Sequence, residues 1–253
     1  MNSAISGALY ENLGLQSWTH SEFFLPTEVS AIHPIVEKVE EYIAATSLDQ
    51  HPFFAEAKVN TNALLMWASQ EIVMTNAFSQ IVLFAASRVR NVHIRAVLAE
   101  VAYGEHGRCK RGLAAKSHPW LLEQLRTSVG LSSEEVKPHP ATISFIGRLC
   151  EFLESPLSSI AGIGVGNERL IEPEYKAIKQ CFAAKFPGTN FAPFLDANMS
   201  EDLIHSRLCY EAATALIVSD DDATRFLGWA RRSVDSRVKY FDELLHSATN
   251  QTT

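Results

Sequence analysis

The sequence predicts an all-α fold, a single helical bundle of about seven core helices, and three observations predict it. Apolar residues recur with the helical period through the long segments. Sustained two-residue alternation is missing, as are the Asn-Gly and Asp-Gly pairs that turn hairpins. The segments are separated by short connections marked with proline or glycine. Hydrophobic residues make up 47% and charged residues 20% of the 253 residues, enough for a real core in one domain spanning 1–253.

In chain order, residues 1–28 read as an arm whose Tyr10, Trp18, Phe23 and Phe24 pack on a bundle formed by 29–247. Helices are expected at roughly 29–46, 54–87, 90–108, 117–128, 139–154, 156–170, 173–185, 198–218 and 220–247. Ser117 caps the helix that carries Trp120, Leu121 and Leu122, with Pro119 in its first turn, and Gly130 ends it. Lys137 to Pro140 is a linker. Pro156 and Pro173 are expected to break what would otherwise be continuous helices. Phe186 to Asn190 forms a turn, and Ser219 to Asp222 closes one helix and opens the last.

Lys+Arg is 22 against 29 for Asp+Glu, a formal net charge of -7, which excludes the broad basic footprint of a nucleic-acid binder. Cys109, Cys150, Cys181 and Cys209 lie far apart with no C-x-x-C, as expected of reduced, mostly buried thiols. The first residues lack a basic region followed by an apolar core. The longest uncharged stretch, Ile72 to Ser87, is too short and too polar to span a bilayer. A cytoplasmic protein with no membrane or nucleic-acid partner is the expectation.

The informative feature is a set of acids on apolar stripes. Leu64, Ala68, Glu71, Thr75, Phe78, Val82 and Ala85 share one helical face, and Glu71 is its only charge. Ile94, Leu98, Val101 and Glu105 repeat the pattern. Leu157, Ala161, Gly164, Glu168 and Ile171 do so again, with Glu168 as the exception. Asn198, Asp202, His205 and Cys209 form a polar stripe beside Leu203, Ile204 and Leu208. One such acid is ordinarily a boundary residue. Four helices showing it together imply buried carboxylates that cost several kcal/mol each unless something positive sits between them. Few Lys or Arg share these stripes, so a metal or a pair of metals satisfies the charges with the fewest groups. The E-x-x-H pair repeated on two helices of ferritin-like bundles is absent.

Four segments resemble a known family, the haem-oxygenase-like di-metal oxidases, over roughly residues 60–246. They are Gln70-Glu71 followed by Phe78; Leu98 through Glu105 to Gly107, with His118-Pro119 and Leu122; Gly166-Asn167-Glu168 with Pro173; and Asn198-x-x-x-Asp202-x-x-His205. The last matches the family's H-x-x-x-D-x-x-H with asparagine in place of the first histidine. The resemblance implies a haem-oxygenase-like bundle that binds no haem. Its metal ligands would be Glu71, Glu105, His118, Glu168, Asp202 and His205, with Asn198 a weak or lost ligand. His118 lies further from Glu105 than the family's histidine does, and His106 competes with it, although the residue after Glu105 points about 100° away on a helix.

The resemblance further implies two Fe(II), with manganese as the alternative metal, and O2 as co-substrate. A carboxylate-rich set suits iron or manganese better than zinc. The reaction expected is functionalisation of a small free amino acid by desaturation, cyclisation, cleavage or hydroxylation, as in the azetidine-forming members. An external electron donor and a homodimeric assembly are compatible with it. Arg169 and Arg207, neighbours of ligand positions, are the candidates for a substrate carboxylate, and Gly162, Gly164 and Gly166 read as room for substrate, with close helix packing as the alternative. Two rival readings stand beside it. One is a metal-free thiaminase-like hydrolase on the same fold, with Cys209 as nucleophile; the other is a non-catalytic helical carrier.

Overall fold

The computed structural model describes residues 31–107 and 117–250. The expected arm at 1–28 and Cys109 lie outside the described residues. All regular structure among the described residues is helical. It comprises α1 (Ile35–Thr46), α2 (Pro52–Val59), α3 (Thr61–Arg88), α4 (Val92–Glu105), α5 (His118–Ser128), α6 (Pro140–Glu151), α7 (Pro156–Ser159), α8 (Glu168–Lys185), α9 (Ala192–Leu216) and α10 (Asp220–Asn250), with short 3-10 turns between some of them. A π-helical segment, Ile160–Asn167, joins α7 to α8.

Most boundaries follow the expected chemistry. Ser117 Oγ accepts from the Trp120 N–H at 3.3 Å, and Gly130 takes φ +73° just past α5. His139 caps α6 ahead of Pro140, and Ser155 and Ser158 form a capping box around Pro156. Four boundaries differ from the sequence reading, the first being the helix expected from 29, which begins at Ile35. The segment expected at 54–87 is cut at Asn60, whose side chain caps α3 through the N–H groups of Asn62 and Ala63. The segment expected from 198 begins at Ala192, because Pro193 fits the first turn. Pro173 does not break its helix: α8 runs through it, held on either side by buried Leu170, Ile171, Glu174 and Tyr175. Tertiary packing outweighs the one donor that proline removes.

The acid-bearing stripes do face inward. Leu64, Ala68, Glu71, Val82 and Ala85 on α3, and Ile94, Leu98, Val101 and Glu105 on α4, are all buried. On α9 the polar stripe itself is the buried face, whereas Leu203 and Ile204 are about half exposed at 49% and 53%. The π segment lies between α9 and α10 and is buried along its whole length. Its three glycines give close packing and not the expected substrate space. A Cβ on Gly162 would meet the Phe152 ring at 2.3 Å, one on Gly164 the Cys209 Sγ at 2.4 Å, and one on Gly166 the Ala230 carbonyl oxygen at 2.7 Å. Ser233 Oγ donates to the Gly162 carbonyl at 2.7 Å and fastens α10 to the segment. Because the Gly166 neighbour is backbone, it cannot swing aside. Gly166→Ala is expected to cost about 1–3 kcal/mol, seen as a lower urea midpoint with an unchanged m-value.

Candidate metal centre

Each candidate ligand is carried to the bundle interior by a helix that has other reasons to sit there. Glu71 lies mid-way along α3, Glu105 is the last residue of α4, and His118 is the first of α5. Glu168 opens α8 directly after the π segment, a type of irregularity that recurs at functional sites. Asn198, Asp202 and His205 stand one turn apart on α9. All seven are buried.

Glu168, Asp202 and His205 each present a ligand atom within 4.8 Å of the other two. His205 Nδ1 is 3.4 Å from Glu168 Oε2 and 3.7 Å from Asp202 Oδ1. On the other side, His118 Nδ1 is 3.1 Å from Glu105 Oε2. Glu71 Oε1 accepts from the Tyr175 hydroxyl at 2.7 Å and from Thr75 Oγ1 at 3.4 Å. Glu71, Glu105, Glu168, Asp202 and Asn198 line one cavity of ≈ 20 Å³, space for ions or a water and no more.

The cluster carries more acceptors than it has donors for. Glu71 Oε2, Glu168 Oε2 and Asp202 Oδ2 are buried without a hydrogen bond, and so are both ring nitrogens of His118 and of His205. Such atoms are rare in folded proteins because each forfeits its hydration. Burial pushes the Asp202 carboxyl well above the usual carboxylate range, and Glu168 pushes it further. Burial likewise raises Glu71, against the pull of Arg237 and Tyr175. Burial alone would lower the two imidazoles, but Glu105 beside His118 and Glu168 beside His205 outweigh it and hold both above the ordinary histidine value. Oxygen-rich ligands with two imidazoles, dry and short of positive charge, fit iron. Asn198 ties its Nδ2 back to the Phe194 carbonyl at 2.8 Å.

Other expected site residues lie elsewhere. His106 is exposed, and its Nδ1 meets the Ala102 carbonyl at 2.7 Å. Arg169 is forked onto Glu40 at 2.8 and 2.9 Å, and Arg207 is 82% exposed beside Glu211. Neither arginine lines the cavity. The cation among the described lining residues is Arg237 of α10, which the sequence reading missed. It is buried against Glu174, with Nε to Oε2 at 2.7 Å, and Glu174 also accepts from Trp67 Nε1 at 3.2 Å. Asn167, which lines the cavity with its buried Oδ1 unpartnered, was missed as well. Cys209 is fully buried, and burial pushes its thiol far above the ordinary range, so it has no thiolate to attack with at neutral pH.

Gly104 closes one side of the site. A Cβ there would fall 2.5 Å from His205 Nε2 and 2.8 Å from Glu201 Oε2. Gly104→Ala is therefore expected to displace the His205 ring and lower metal affinity by about 10-fold or more, with a smaller effect on the melting temperature of the metal-free protein. Isothermal titration with Mn(II) reads the first quantity and calorimetry the second.

Comparison with known proteins gives the fold and the family. No curated protein matches the sequence. Among solved structures, a CADD-like protein of unknown function from Nostoc punctiforme superposes with a TM-score of 0.72 at 15% identity, covering 85% of this chain and 96% of that one. A domain of unknown function with a haem oxygenase-like fold from Shewanella denitrificans gives 0.69 at 16% identity, covering 86% and 95%. A TenA homologue from Pseudomonas syringae pv. tomato gives 0.64 at 8% identity, covering 88% and 99%. These likenesses show a haem-oxygenase-like fold. Among the described residues no helix is long and apolar enough to cross a membrane. The sequence model of a family described as iron-containing redox enzymes matches residues 65–238, which include every buried acid and histidine of the cluster, and the chain belongs to that family.

Proposed function

We propose that the protein is an O2-dependent di-iron oxidase that functionalises a small free amino acid. The observation that carries the metal half of this reading is the buried group of Glu168, Asp202 and His205, with ligand atoms within 4.8 Å of one another, beside Glu71 and Glu105 on the same cavity and His118 against Glu105, with buried atoms left unpartnered. Glu168, Asp202 and His205 would hold one ion, and Glu71, Glu105 and His118 the other. When bound, iron supplies the electrons that activate O2. The chain's own residues do the rest. Tyr175 fixes one Glu71 oxygen and leaves the other for metal. Arg237 offsets the carboxylate charge from the cavity wall. Phe78, Met74 and Ile171 line the cavity beside the acids and keep it dry.

Anaerobic Fe(II) titration of the metal-free protein, followed by rapid mixing with O2, tests the reading. Uptake near two irons per chain and a transient visible band that one amino acid accelerates are expected. No iron uptake would overturn it.

The same groups set a pH dependence. Asp202, Glu71 and the two histidines all have folded values raised above their unfolded ones. Each therefore contributes stability that is present in full below its unfolded pKa and is lost as pH rises through its folded pKa. The metal-free protein is expected to melt lower at about pH 8.5 than at about pH 5.5, since unfolded carboxylates titrate near 4 and histidines near 6.5. Metal binds the deprotonated ligands, so its affinity rises over the same window and loading closes the gap. Thermal melts with and without Mn(II) at the two pH values check this.

A further inference from the structure

The junction of the π segment with α8 brings two consecutive polar side chains to the metal cavity. Glu168 is one, and Asn167, the last residue of the π segment, is the other. Asn167, Ile171 and Tyr175 follow one another at four-residue spacing, so they form a row along one face, and all three line the cavity. Asn167 is 4% exposed. Its neighbour Gly166 is packed against Ala230 and Ser233 of α10, which holds the backbone at this point.

The Asn167 amide oxygen is buried without a hydrogen bond. The donors that share the cavity are committed elsewhere. Tyr175 and Thr75 donate to Glu71, Asn198 Nδ2 donates to the Phe194 carbonyl, and Arg237 Nε donates to Glu174. Around the cavity the oxygen joins Glu71 Oε2 and Asp202 Oδ2, which makes three acceptors with no hydrogen bond on any of them. A single water has too few hydrogens for all three, and ≈ 20 Å³ leaves no room for a set of waters. A cation satisfies them together, because an amide oxygen is a ligand for hard divalent ions just as a carboxylate is. Its neutrality suits the place. Glu71, Glu105, Glu168 and Asp202 already bring the four negative charges that two divalent ions balance, so a further ligand has to add an oxygen without adding charge.

We propose that Asn167 is a further ligand of the metal centre, coordinating through its amide oxygen. Without metal the same amide is a liability, a polar group stripped of water with nothing in return. A ligand and a packing residue therefore behave in opposite ways when the side chain is removed. This inference rests on the metal-centre reading.

The test is Mn(II) titration of the metal-free full chain with water-proton relaxation of the loaded form, for wild type, Asn167→Ala and Asn167→Asp, and thermal melts of each metal-free form. Asn167→Ala is expected to weaken Mn(II) binding by about 10-fold or more, at least what losing even an outer partner of a metal site costs. Relaxation per bound ion should rise, because water enters the vacated position, and the metal-free form should melt no lower than the wild type. Asn167→Asp keeps an oxygen in place. It should bind Mn(II) at least as tightly as the wild type, show the wild-type relaxation, and melt lower without metal because it buries a fifth carboxylate. It carries the test should the alanine variant fail to fold. Wild-type affinity in Asn167→Ala would overturn the proposal and leave the metal centre standing. So would a weakened affinity with unchanged relaxation and a lower melting temperature, the mark of a packing role. Absence of Mn(II) binding by the wild type would overturn both.

Discussion

Glu168→Ala is expected to raise the stability of the metal-free protein and to abolish binding at the Glu168, Asp202 and His205 group. The two effects have one cause. Glu168 is 2% exposed, its Oε2 has no hydrogen bond, and it stands against Asp202, so without metal its burial is offset only by the His205 ring at 3.4 Å. Removing an unsatisfied buried group of this kind returns about 1–3 kcal/mol, partly cancelled by the small void left behind. At about 2–4 °C per kcal/mol for a chain of this size, the melting temperature of chelator-treated protein should rise by a few degrees. Metal content should fall from about two ions per chain to one or fewer, because two remaining ligands do not make a site. The pairing of the outcomes separates the readings. A helical carrier predicts the stabilisation with no metal to lose. A hydrolase that relies on Cys209 predicts the same and an intact activity. A stability that falls, or iron content equal to wild type, would count against a metal role for Glu168.

The candidate site was legible where a single rule applied. On a helix of 3.6 residues per turn, an acid that shares a face with apolar residues has nowhere to go but inward. That rule puts Glu71, Glu105 and Glu168 inside, and all three are buried; Asp202 and His205 stand on a polar stripe whose apolar neighbours Leu203 and Ile204 are half exposed, and it is the resemblance that marks them. His118 needed the resemblance, since a histidine that opens a helix beside Pro119 has no stripe to betray it. Arg237 obeys the rule as well: Phe226, Ala230, Val234, Arg237, Phe241 and Leu244 form one buried row on α10. A lone cation on an apolar row marks it as surely as a lone acid marks Glu71. Glu174 sits on the row Leu170, Glu174, Ala177, Ile178 and Cys181, but a helix supposed to break at Pro173 hides that row. The π segment was invisible for a different reason. Residues 160–166 are apolar or glycine on every side, so no face marks the period, and only packing selects the wider turn.

Arg237→Ala is expected to be the most damaging single change to stability. Arg237 and Glu174 are 1% and 0% exposed and face each other at 2.7 Å. Burial works against the Arg237 charge, but Glu174 and Glu71 outweigh it and keep the guanidinium ionised. Removing it leaves Glu174 with only the Trp67 N–H and takes from Glu71 the cation that lowers it. Breaking one side of a buried pair costs about 3–5 kcal/mol, whereas replacing both sides with apolar groups of similar volume is close to neutral. Glu174→Leu with Arg237→Met is therefore expected to melt near the wild type, and a double-mutant cycle in urea should return a coupling of about 2 kcal/mol or more. The loss also has a pH signature. Burial already pushes Glu174 up to about 7 with Arg237 present, and without that cation its value rises further. A carboxyl raised in the folded state contributes stability at acid pH and loses it as pH rises through the folded value. The Arg237→Ala defect should thus be small near pH 5 and full near pH 8.5, as about the span between the unfolded carboxylate value and the folded one requires. A defect independent of pH would mean that Arg237 acts by packing alone. Iron content separates the consequences for function. Glu71 keeps its Tyr175 hydrogen bond in the double variant but loses the neighbouring cation. If Arg237 serves only to hold the fold, the double variant binds iron as the wild type does. If it tunes Glu71 for metal, the stability returns and the Fe(II) affinity does not.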